Sequence, residues 1–144
     1  FALQGRPENV YLWNFVDDSL EQLPFSADQH TLVWDESTKL FYGLEQADNY
    51  DASITSAWDM QGKQKWRMVF PTDTSHINYL SVDGTYAYVS FRGTNAIAKV
   101  NIATKETEMV VGGSRSTVDV LGIDGVTKMG HKNDDFFWLR QHKG

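Results

Sequence analysis

The chain has 144 residues, 41% of them hydrophobic and 22% charged, enough to bury a core and unlike a disordered chain. Its net charge of -6 gives no general attraction to phosphate backbones or anionic lipid, so neither nucleic acid nor membrane insertion is expected. Cysteine is absent, which removes disulfides and thiolate metal sites, and no apolar run approaches the roughly 20 residues needed to span a bilayer.

Five Trp, six Tyr and eight Phe favour pleated, half-buried strands. In chain order, Val10 to Phe15 and Leu20 to Phe25 read as two strands, and Phe1 to Gly5 resembles the end of another. Thr31 to Trp34, Leu40 to Leu44, Ile54 to Met60 and Lys65 to Phe70 read as four more, with a longer loop at Glu45 to Ser53. The cleanest unit is Ile77 to Val82, Tyr86 to Phe91, Ala96 to Ile102 and Glu106 to Val111, punctuated by Asp83-Gly84, Arg92-Gly93-Thr94-Asn95 and Thr104-Lys105. At Asp83-Gly84 the glycine supplies the positive φ that such a turn needs. Val118 to Ile123 and Phe136 to Arg140 close the chain around a Gly/Lys/Asn-rich connection at 125–135. No stretch keeps a helical period over three turns.

Two signatures recur three times each, in alternation. The first is Leu32-Val33-Trp34-Asp35, Leu80-Ser81-Val82-Asp83 and Leu121-Gly122-Ile123-Asp124. The second is Trp13-Asn14-Phe15, Trp58-Asp59-Met60 and Val100-Asn101-Ile102. Four short strands in roughly 42 residues make one antiparallel meander the size of a propeller blade. The expected fold is all-β: one β-propeller segment over 1–144, with a half-blade at 1–26, blades at 30–70 and 76–112, and a half-blade at 116–144.

At 77–111 the sequence resembles a blade of the YVTN/YncE-type β-propeller repeat family, through Val82-Asp83-Gly84, Tyr86-Ala87-Tyr88-Val89-Ser90, Gly93-Thr94-Asn95, Ala98-Lys99-Val100-Asn101-Ile102 and Thr104-Lys105. The resemblance implies a scaffold that serves varied ligands and fixes no function. Propellers typically hold four to eight blades, so the two half-blades are expected to pair between molecules. A homodimer gives four whole and two composite blades, a six-bladed ring with C2 symmetry. The alternative is a fragment of, or structural subunit in, a larger propeller. A start at Phe1 rather than Met reads as processing of an exported, extracellular protein, or as a fragment.

His30 and His76 precede the innermost strands of successive repeats and would rim the central channel, a candidate metal or anion site. Asp48, Asn49, Tyr50 and Asp51 cluster oxygen ligands of the type Ca²⁺ uses, without an EF-hand pattern. Zn²⁺ at the histidines and Ca²⁺ at this loop are the cofactors considered, against ordinary loop residues and no cofactor at all. Trp66 aligns with Glu108 and is expected to face outward, where with Lys65 and Arg67 beside it the ring could stack on a sugar or pack on a partner, against the plainer and favoured reading of a packed rim residue. Trp66, His30, His76 and Tyr50 are thus the ligand-binding candidates. Trp13 and Trp58 align with Val100 as blade-to-blade core, and Trp34 and Trp138 align with strand residues. Asp35, Asp83 and Asp124 recur at one place and read as turn caps. Asp134-Asp135 and 125–133 form a charged, Gly-containing insertion of the binding-loop kind. No nucleophile elbow or phosphate loop is found, Gly112-Gly113-Ser114 included. The reading is a non-enzymatic binding or assembly module presenting loops to a ligand, glycan or protein. Its rival is a metal-dependent lyase- or lactonase-like propeller enzyme.

Overall fold

A computed structural model describes residues 2–4, 9–45, 53–71 and 76–130. Among them there is no helix; the chain forms four separate antiparallel sheets. The first is β1 (Ala2–Gln4), β2 (Asn9–Asn14) and β3 (Ser19–Ser26), in that order. The second is β4 (Leu32–Asp35), β5 (Leu40–Leu44), β6 (Ile54–Trp58) and β7 (Gln64–Val69). The third is β8 (Ile77–Val82), β9 (Tyr86–Phe91), β10 (Ala96–Asn101) and β11 (Thr107–Val111). The last is the pair β12 (Val120–Leu121) and β13 (Lys128–Gly130).

The repeated signatures are turn caps. Asp35 Oδ2 accepts bonds from the Ser37 and Thr38 hydroxyls and the Thr38 amide. Asp83 Oδ1 accepts from the Thr85 and Tyr86 amides, and Asp124 Oδ1 from those of Val126 and Thr127. The second signature does the same: Asn14, Asp59 and Asn101 accept from backbone amides two to four residues on. A short carboxylate or amide that bonds its own chain fixes where each strand stops. The structural reading of the three aspartates therefore holds.

Strand alternation divides each sheet between two neighbours. One core joins the first and second sheets through Val10, Leu23 and Phe25 against Phe41 and Trp58. Phe25 stacks on the Trp58 indole at 5.1 Å and 9°. Gly62, at φ 74, tucks the β6–β7 turn against Pro24, whose carbonyl would lie 2.4 Å from a Cβ. The opposite face of the second sheet, Tyr42, Leu44, Ala57 and Trp66, packs on Leu80, Ala87, Val89, Ala98 and Val100 of the third. There Phe70 meets Phe91 edge to face at 5.0 Å, and Thr31 Oγ1 bonds the Leu80 carbonyl across the junction.

Several expected elements differ. Within the connection expected at 125–135, Lys128–Gly130 is a strand paired with β12. Asp124 and Gly125 (φ 68) turn the chain so tightly that the return arm begins at once. The Val118–Ile123 strand is shortened to Val120–Leu121, because Ser116 and Thr117 bond back to Val110. Phe136–Arg140, with Trp138, lies outside the described residues, as do Asp134 and Asp135.

Candidate functional site

Trp66 is corrected first. It is not presented outward: the indole is 7% exposed, packs on Tyr42 at 5.9 Å between ring centres, and donates from Nε1 to the Ile102 carbonyl at 2.8 Å. The cause is turn length: both fourth strands carry the same bulge, but residues 59–63 link Trp58 to Gln64 whereas the longer 101–106 links Val100 to Thr107. Ala57 pairs with Trp66 but Trp58 pairs with Gln64, which leaves Lys65 as the extra residue. In the third sheet Lys99 pairs with Met109 and Val100 with Thr107, leaving Glu108 extra. Trp66 thus matches Met109, not Glu108, and a one-residue slip moves a strand side chain to the other face. Lys65 and Arg67 do face solvent, paired with Asp59 and Glu45. Burial opposes ionisation of Glu45, but bonds from Arg67, Ser56 and Gln64 outweigh it and hold the carboxyl below its usual range.

The structure does bring His30 and His76 together, their rings edge to face with centres 6.1 Å apart. His30 Nδ1 is held by Asp28 Oδ1 at 2.5 Å, and Arg92 Nη1 lies 3.5 Å from His76 Nε2. His76 adopts φ 69, a left-handed conformation that is costly outside glycine. Among the described residues no three or more His, Asp or Glu side chains are grouped to hold a metal ion. Asp48, Tyr50 and Asp51 lie outside the described residues.

Sequence reasoning missed an unfilled surface, the outer face of β8–β11. Tyr79, Ser81, Tyr88, Ser90, Ile97 and Met109 line a cavity of about 350 Å³ there. The register places Tyr88 where Tyr42 stands, Ser90 at Leu44, Lys99 at Ala57 and Met109 at Trp66. That same face of the second sheet is covered by the third. Ser90 is buried, yet its hydroxyl has no hydrogen-bond partner among the described residues. Lys99 lies 3.5 Å over the Tyr86 ring and pairs with Glu108. The missed signal was alternation carried through the repeat, which the bulged fourth strand had hidden.

At the other end of the stack, too, no described sheet packs on the outer face of β2 and β3. Trp13 matches the buried Trp58 and Val100, but is half-buried, its Nε1 bonded to Asp18 at 2.9 Å, and Leu20 opposite it is exposed. Trp58 fulfils the expected core role and Trp13 does not, because no described sheet covers it. Trp34 rests on Phe41 at the strand edge, partly exposed. A smaller apolar cavity of about 190 Å³ lies between the second and third sheets, near Phe70, Phe91, Val110 and Arg115. Comparison with known proteins supplies no identity: no family model matches the chain, and no curated protein matches it.

Proposed function

We propose that this chain is a non-enzymatic binding and assembly module, half of a six-bladed propeller of the YVTN/YncE type, completed by a second copy. One observation carries the reading: among the described residues no sheet packs on the Tyr88–Met109 face of the third sheet, although the equivalent Tyr42–Trp66 face of the second is buried. The Trp13–Leu20 face at the opposite end is the natural cover, since the interior junctions repeat that same head-to-tail arrangement. Burying both faces removes apolar area from water at about 25 cal/mol per Å². The completed ring would present its turns to a glycan or protein. Light scattering over a concentration series tests the assembly. A species near twice 16.4 kDa is expected, and a compact monomer at every concentration overturns it.

A metal-dependent lyase- or lactonase-like enzyme is the second reading, favoured by the His30–His76 approach. Asp28 holding His30 Nδ1 leaves Nε2 free, as in carboxylate–histidine–metal sites. Calorimetric titration with Zn²⁺ separates the two. Binding that His30→Ala and His76→Ala each abolish supports the enzyme; no heat of binding removes it.

A further inference from the structure

Three nitrogen-bearing side chains meet at one end of the junction between the second and third sheets. His30 stands in the loop entering β4, His76 in the approach to β8, and Arg92 in the turn after β9. The two imidazoles lie 6.1 Å apart between centres, and Arg92 Nη1 is 3.5 Å from His76 Nε2. Their backbones are fixed. The Asp28 amide bonds the Leu44 carbonyl, Asp28 Oδ1 accepts from the His30 amide, and the Arg92 amide donates to the His76 carbonyl. Thr31 Oγ1 ties the His30 loop to the third sheet through the Leu80 carbonyl. His76 holds its place at φ 69, and costly left-handed residues gather at ligand-binding sites. A set ordered in advance loses little freedom when something binds.

The charges at this spot are unevenly matched. Arg92 is half-buried, and among the described residues no carboxylate pairs with its guanidinium. Lys65, Arg67 and Lys99, by contrast, each have an acidic partner. The carboxylate bonded into the cluster is Asp28, and it is already engaged: Oδ1 meets both the His30 amide and His30 Nδ1. An ionised carboxylate only accepts, so Nδ1 carries a proton and Nε2 is the nitrogen left for a ligand. A permanent guanidinium charge 3.5 Å from an imidazole nitrogen repels a metal cation there and attracts an anion. Its fork matches a planar carboxylate through two parallel bonds. A dianion would bring its second charge against Asp28.

We propose that His30, His76 and Arg92 bind a monocarboxylate, the acidic group of a small ligand such as a sugar acid or an acylated amino acid. Arg92 takes the carboxylate by its fork. His30 Nε2 gains a proton from solvent as the anion arrives and then hydrogen-bonds it. Asp28, bonded to the other nitrogen of that ring, balances the imidazolium charge. His76, next to both partners, positions the guanidinium. The inference rests on the binding-module reading above and not on the ring, since the site lies within one chain.

The test is an NMR titration of the full-length chain with glucuronate, N-acetylglycine, glucose and inorganic phosphate at one neutral pH and constant ionic strength. Both acids should shift the His30, His76 and Arg92 amides to saturation, and the His30 Cε1 proton should move towards its imidazolium position. The tighter acid names the source, sugar or amino acid. Arg92→Gln keeps the backbone amide that bonds His76 and should weaken binding about 10- to 100-fold, as expected when a charged hydrogen-bond donor is lost. His30→Gln, at an exposed position, should weaken it about tenfold and serves alone if the first variant does not fold. Glucose binding as tightly as glucuronate, or phosphate more tightly than either acid, overturns the proposal. Full affinity in a folded variant, or Zn²⁺ binding at these residues without carboxylate binding, overturns it too. A dimer near twice 16.4 kDa that binds no carboxylate removes this site and leaves the assembly standing. A monomer that binds carboxylate keeps the site and removes the ring.

Discussion

The β4–β7 and β8–β11 sheets share one plan and carry different faces. Both have a second-strand tyrosine, a bulged fourth strand and Asx-capped turns. On the covered face of the former stand Leu44, Ala57 and Trp66; the latter has Ser90, Lys99 and Met109 at those places, around an open cavity. The difference teaches that backbone repetition sets where a face points, while its neighbour sets how apolar it becomes. An interior sheet is closed by its own chain. An end sheet carries groups that stay soluble until something covers them.

The sharpest way to break that comparison is to truncate the matched pair. Trp66→Ala should lower the unfolding free energy by about 3–5 kcal/mol, since it leaves a large void and strips the Ile102 carbonyl of its donor. Met109→Ala should cost about 1 kcal/mol or less in the monomer. Urea denaturation at low concentration measures both, and equal losses would mean that the third sheet is covered after all. Leu80 and Leu121 sharpen it within the repeated leucine series. Leu80→Ala at a fully buried site should cost about 2–5 kcal/mol, and Leu121→Ala much less, unless a second copy buries it.

Turn glycines test packing apart from backbone conformation. Gly62 and Gly125 both have positive φ, but only Gly62 has Pro24 against it. Gly125→Ala should cost about 1–2 kcal/mol for the left-handed backbone. Gly62→Ala should cost more, and thermal melts that rank them the other way would refute the tight first junction. The smallest effect is a titration. The Thr127 hydroxyl, with the Val126 and Thr127 amides, holds the Asp124 carboxyl down to about 2 from its ordinary 3.8. A depressed carboxylate stabilises its turn fully above pH 3.8, and that contribution is lost as pH falls through about 2. The Val126 and Thr127 amide shifts should therefore move with a midpoint near 2; a midpoint near 3.8 would show the cap to be unformed.

Much of the architecture was legible. Leu40–Leu44, Ile77–Val82 and Tyr86–Phe91 are strands over the expected residues, because alternation bounded by Asp-Gly, Asn and Lys turn residues leaves little choice of ends. The aspartate caps followed from their recurrence. Lys128–Gly130 was missed because three residues in a Gly- and Lys-rich stretch show no period. Trp66 was misplaced because the turn before β11 is one residue longer than the turn before β7, which shifts the match from Glu108 to Met109 and is invisible when the repeats are aligned at constant spacing. His30 and His76 were expected at similar places in successive repeats; that their rings meet edge to face was not legible in the sequence.

By itself the sequence determined the unit: strands of a given length, stopped by side chains that cap their own turns, repeated at nearly constant spacing. Those are local effects, set within a few residues by backbone bonds and alternation. Which faces are buried was decided by tertiary structure alone, because burial depends on having a neighbour: Trp66 is in the core because the third sheet packs on its face. The faces of Tyr42 and Tyr88 hold the same place in the repeat, and among the described residues only the first has another sheet against it.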